Sequence, residues 1–256
     1  MSWVETASLS FRARHAESHG DEAVAVLEAL ERQRSELELM LPRVPSNVTV
    51  VLHDSSTQLM LAQPWVALAR RLTSPAGRRY VSGWFARGEV HCLSPHVLRR
   101  LAPGEDSLKA LLLTPQRYFA MLSIGVNNPL LPPPFRARPA WRVARRAWHL
   151  EGAAQYFSGQ TPHLRAAIAV RLRSRSVAFP PSTRDAALLG GTVYDLLAAE
   201  REQSACVRLA CHPDPAGDRE LLETAFGAPL HEVAQMWRAR LEHLSSPDPQ
   251  VRALED

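Results

Sequence analysis

The chain has 256 residues, 46% hydrophobic and 22% charged, with a net charge of +4. It can bury a full core without staples, and its three cysteines, Cys92, Cys206 and Cys211, are too few and too unevenly placed for a disulfide framework. No stretch approaches the roughly 20 apolar residues of a membrane span, and the charge is modest for a nucleic-acid binder. Nearly all the cations are Arg, since Lys109 is the only lysine. The odd cysteine count favours a reducing compartment. Met1 to Thr6 shows no basic region followed by an apolar core, so a cytoplasmic protein is expected.

In chain order, Leu9, Phe11 and Ala13 alternate with Ser10, Arg12 and Arg14, the period-two pattern of a half-buried strand. A helix is predicted from Asp21 as N-cap, with Val24, Leu27, Leu30, Leu37 and Leu41 on one face, ended by Pro42 and Pro45. Val48 to Leu52 reads as a buried strand. Tyr80 to Phe85 and Glu89 to Leu93 read as a hairpin turning at Gly88. A helix starting near Ser107 meets Pro115, which removes a backbone bond and should kink or end it. The Pro-rich stretch from Asn127 to Pro139 then joins the two halves. The remainder is helical: about Ala140 to Gly159, about Leu164 to Ser174, a run ending near Ala210, and Leu230 to Leu244, with Asp218 and Gly227-Ala228-Pro229 as punctuation.

The most specific segment is Trp148-His149-Leu150-Glu151-Gly152-Ala153-Ala154-Gln155-Tyr156-Phe157. It resembles the third-ligand segment of gluzincin metallopeptidases, the thermolysin-like group of the peptidase MA superfamily, in which the Glu is the third zinc ligand. The resemblance implies an HExxH upstream, two histidines one helical turn apart that hold one ion and a Glu that activates its water. The sequence there is Leu112-Leu113-Thr114-Pro115-Gln116-Arg117-Tyr118-Phe119-Ala120-Met121. The favoured register puts Pro115 and Phe119 at the histidine positions and Gln116 at the base position, none of which can do that chemistry. A shift by one, to Thr114, Pro115 and Tyr118, restores nothing.

The resemblance implies an α+β fold of the zincin kind: an N-terminal sheet-plus-helix lobe over residues 1–126, a Pro-rich connection at 127–139, and a C-terminal helical lobe over 140–256, flanking one cleft in one compact domain. It places the cleft's edge strand at the hairpin, makes Trp84, Glu151 and Tyr156 cleft candidates, and matches Tyr194 to a tyrosine near the substrate carbonyl. A core tyrosine is the competing reading of Tyr194. Without a metal, Glu151 needs another partner, and Arg117 is the expected one; His149 should face away. The expected role is a catalytically degraded domain without cofactor that binds a peptide or protein, by strand addition along the hairpin edge. The alternative is a zinc-dependent hydrolase with unorthodox ligands such as His149, Glu151 and a distant His. A third reading is a nucleic-acid module using Arg136 to Arg146.

Other histidine and cysteine groups read as structural. His231-Glu232-Val233-Ala234-Gln235 is one residue short of HExxH but lies downstream of Glu151. His15 to His19 sets its Glu at the wrong offset and fits a loop. Cys206, Cys211 and His212 fit core cysteines near a helix end, and alternation sends His91 and Cys92, beside His96, to opposite faces.

Overall fold

The computed structural model describes residues 2–86, 88–131, 146–174, 176–211 and 217–245. A five-stranded sheet is built from β1 (Trp3–Ala7), β2 (Phe11–Ala16), β3 (Val48–His53), β4 (Gly83–Ala86) and β5 (Glu89–Leu93), in the order β1-β2-β3-β5-β4. The two flanking pairs, β1/β2 and β4/β5, are antiparallel hairpins, while β2, β3 and β5 run parallel. Phe11 and Ala13 point into the core and Arg12 and Arg14 out of it, where both pair with Glu5 across the hairpin. Leu9 departs from the expected alternation: it caps the β1–β2 turn almost fully exposed. Gly88 takes a left-handed φ of 74° at the β4–β5 turn, as the hairpin requires.

Helix α1 (Gly20–Glu38) buries Ala23, Leu27, Leu30 and Leu37. Asp21 sits in its first turn rather than at the cap, Val24 is exposed, and the helix stops four residues before Pro42. Two short helices that the periodicity did not reveal, α2 (Ser56–Ala62) and α3 (Trp65–Leu72), follow β3, and α4 (Pro95–Leu101) follows β5. The helix from Ser107 is divided, as Pro115 demands, into α5 (Glu105–Leu112) and α6 (Thr114–Asn127). Proline is tolerated in the first turn of α6, where its missing N–H would have had no helical partner.

The second half is helical: α7 (Ala147–Phe157), α8 (Arg165–Ser174), α9 (Ala186–Glu200), α10 (Gln203–Cys211), α11 (Asp218–Phe226) and α12 (Leu230–Ser245). The run ending near Ala210 is thus two helices, and left-handed Gly227 ends α11 at the expected break. Most of the Pro-rich connection and the stretch from Ala140 to Arg145 lie outside the described residues. Among the described residues the architecture is α+β, and no helix is long and apolar enough to cross a membrane.

Side-chain amides tie the halves together. Gln33 of α1 donates to the carbonyls of Gln116 (3.0 Å) and Phe157 (3.3 Å), and Gln160 donates to that of Ala110 (2.7 Å). Helices α7 and α9 cross at Gly152 and Gly190 so closely that a Cβ on Gly152 would lie 2.5 Å from the Gly190 carbonyl oxygen.

Candidate functional site

Helix α6 runs beneath the sheet, with Phe119 set edge-on against Phe11 of β2 (ring centroids 4.9 Å apart). Two residues earlier the helix turns its other side to α7. Arg117, fully buried, donates from Nη1 to the Tyr80 carbonyl at 2.7 Å and from Nη2 to Glu151 Oε2. Burial opposes the Arg117 charge, but the Glu151 carboxylate outweighs it and holds the guanidinium pKa above its ordinary value. The Glu151 side chain is 21% exposed, so this ion pair forms part of a cleft wall rather than a sealed core.

The cleft is a cavity of about 190 Å³. Trp65, Leu68, Ala69 and Leu72, one stripe of α3, form one wall, with Val81, Trp84 and Phe85 beside them at β4. Tyr118 and Met121 come from α6, Ala147, Leu150 and Glu151 from α7, and Thr183, Ala186 and Ala187 from the start of α9. Apart from Glu151, the lining is almost wholly apolar and aromatic. Trp65, Leu68 and Leu72 are each about half exposed, so the cleft opens to solvent along α3.

The positions singled out on α6 can be placed against Glu151. The α6 residues turned toward Glu151 are Arg117, Tyr118 and Met121, which carry the i, i+1, i+4 spacing of HExxH. Of the positions in the favoured register, Pro115 is buried in the first turn of α6, the Gln116 main-chain carbonyl accepts from the Gln33 side chain, and Phe119 packs on Phe11. None of Arg117, Tyr118 and Met121 supplies the chemistry of HExxH. Arg117 has no lone pair for a metal, burial pushes the Tyr118 phenol well up so that it stays protonated, and the Met121 thioether is no base.

The other expected cleft residues divide. Trp84 and Glu151 line the cavity, and Arg117 is the partner of Glu151. Tyr156 and Tyr194 are not among the lining residues; their rings stack 6.0 Å apart where α7 and α9 meet, and the buried Tyr194 hydroxyl finds no hydrogen-bond partner among the described residues. His149 is buried on the far side of α7, within 3.5 Å of the Ala210 carbonyl and edge-on to Tyr194, so it does not share a site with Glu151. Cys92 is in the core while His91 bonds His53 on the other face of the sheet (3.1 Å), and the three cysteines are unpaired thiols. His231 and Glu232 are exposed at the start of α12, and Arg136 to Arg145 and His212 lie outside the described residues. The α3 wall went unread in the sequence, although Trp65, Leu68, Ala69 and Leu72 carry the i, i+3, i+4, i+7 signal of an apolar helix face.

Comparison of the chain with models of known protein families, with curated proteins and with solved structures returned no match.

Proposed function

We propose that this chain is a gluzincin-like domain in which the Arg117–Glu151 ion pair stands where a metal would sit, and that its cleft binds apolar side chains of a peptide or protein partner without cutting it. The single observation that carries this reading is the guanidinium of Arg117, which delivers a fixed positive charge to the carboxylate of the one segment resembling a zinc-ligand motif. The order of parts around the cleft supports it: the last strand of the sheet, the helix with HExxH spacing, then the helix bearing the glutamate. A guanidinium can neutralise that carboxylate, but it has no coordination position in which to bind a water and lower its pKa as a metal ion does.

What remains is a half-open apolar trough beside a sheet edge, suited to taking alternate side chains of an extended segment laid along β4. Trp65 and Trp84 line it, so tryptophan emission reports occupancy directly. Titration with peptides rich in Leu and Phe should shift that emission saturably and leave the peptides intact. Leu68→Asp, which puts a charge in the wall at a half-exposed position, should abolish the shift without loss of fold. Cleavage of the peptides by a metal that Glu151→Gln disables would overturn the proposal in favour of an unorthodox hydrolase.

A further inference from the structure

The parallel arrangement of β2, β3 and β5 brings their carboxyl ends to one edge of the sheet, the side on which open α/β sheets place ligands. Each strand is followed there by a residue with metal-ligand chemistry. After β2 come His19 and, in the first turn of α1, Glu22; after β3 comes Asp54; after β5 comes His96. The sequence separates these residues by up to 77 positions, and the fold gathers them. One ligand atom from each of His19, Glu22 and His96 lies within 4.8 Å of the others. An ion with bonds of about 2.0–2.1 Å needs tetrahedral ligands about 3.3 Å apart and lies in the plane of each ligating imidazole, so binding requires one of these partly exposed histidine rings to turn out of the parallel stack.

The surroundings orient the donors. His96 Nδ1 is 3.0 Å from Ser94 Oγ, which leaves Nε2 as the outward donor atom. His19 stacks on His96, centroids 4.4 Å apart and planes within 8°. Its Nδ1 is 3.6 Å from Glu22 Oε2 and its Nε2 is 3.6 Å from Asp54 Oδ1. That Asp54 oxygen is buried and has no hydrogen-bond partner among the described residues, an unusual state for a carboxylate. A carboxylate behind a ligating imidazole is the arrangement that fixes ring orientation and raises ligand basicity in metal sites. Arg99 holds the other Glu22 oxygen, Oε1, while Oε2 accepts from the His96 backbone N–H at 3.3 Å and so is fixed between the two histidines.

We propose that His19, Glu22 and His96 bind a divalent first-row transition ion, zinc for preference, with Asp54 as the positioning residue behind His19. Two imidazoles and one carboxylate leave at least one coordination position open to water or a small anionic ligand. The site shares no residue with the Glu151 cleft and stands whether or not the cleft reading holds.

The test is titration of the full-length, chelator-stripped protein with zinc by calorimetry, and with cobalt(II) by visible absorption. One saturable equivalent is expected, with a cobalt spectrum typical of nitrogen and oxygen donors. His96→Ala should abolish it, and Asp54→Asn should weaken zinc binding about 10–100-fold, the usual effect of removing such a supporting group. Circular dichroism of each variant separates loss of a ligand from loss of fold, and Glu22→Gln, which keeps the shape of the side chain, supplies a mild second variant expected to weaken binding. Absence of saturable binding by the unaltered protein would overturn the proposal, as would binding that survives His96→Ala or is removed by Glu151→Ala instead.

Discussion

At the scale of single residues, the Arg117–Glu151 pair shows why one glutamate matters. Arg117 is fully buried and has two acceptors, the Tyr80 carbonyl and Glu151. Deleting the carboxylate in Glu151→Ala strands a buried cation, a change that typically costs about 3–5 kcal/mol. Glu151→Gln keeps an acceptor oxygen and should cost clearly less, while the joint change Arg117→Met with Glu151→Leu should be near neutral, because it removes both desolvated charges at once. Denaturant unfolding of the three variants reads this ordering; equal losses in all three would mean that the pair is not coupled. His53 supplies a second residue-scale expectation. Burial first, and the neighbouring His91 second, lower its pKa from 6.5 to about 4. In the unfolded chain the group takes up its proton near 6.5, so between those values the unfolded state binds more protons and stability falls as pH drops from about 6.5 to about 4. Thermal melts across that range should show the decline, and His53→Leu should flatten part of it.

At the scale of elements, what was legible in the sequence was local. Turn glycine Gly88, breaker Pro115 and the Gly227-Ala228-Pro229 stop each act through backbone geometry within a few residues, and each lies where it was expected. Strand β1 was missed because its residues are alternately exposed and half-buried, so its apolar signal is weak. Phe119, an apolar residue at helical spacing, serves equally as a motif position or as a core residue, and its packing on Phe11 is not visible in the sequence. The strand-end histidines were unreadable as a group because they come from different strands, and alternation along one strand says nothing about a neighbour. Gly152 meets Gly190 where α7 and α9 cross. Alanine normally stabilises a helix relative to glycine by about 1 kcal/mol. Here the added methyl meets backbone 2.5 Å away, so Gly152→Ala should instead destabilise, by the roughly 1–3 kcal/mol of overpacking. Chemical denaturation checks the sign; a stabilised variant would mean that the two helices can part at little cost.

At the scale of the whole molecule, a sheet-and-helix half and a helical half meet along α6, α7 and α9, and the apolar cleft lies along that meeting line with its opening on α3. The fold therefore places two chemically different regions on one chain: a trough with a neutralised carboxylate, and a polar cluster of histidines and carboxylates at the ends of the parallel strands. On the function proposed for the cleft, Glu151 serves an arginine and not a metal. Elemental analysis of gently purified wild-type protein beside Glu151→Ala and His96→Ala tests it most directly. Wild type and Glu151→Ala should carry the same metal content, with any bound zinc lost only in His96→Ala. Near-equimolar zinc in the wild type that disappears with Glu151→Ala would contradict it.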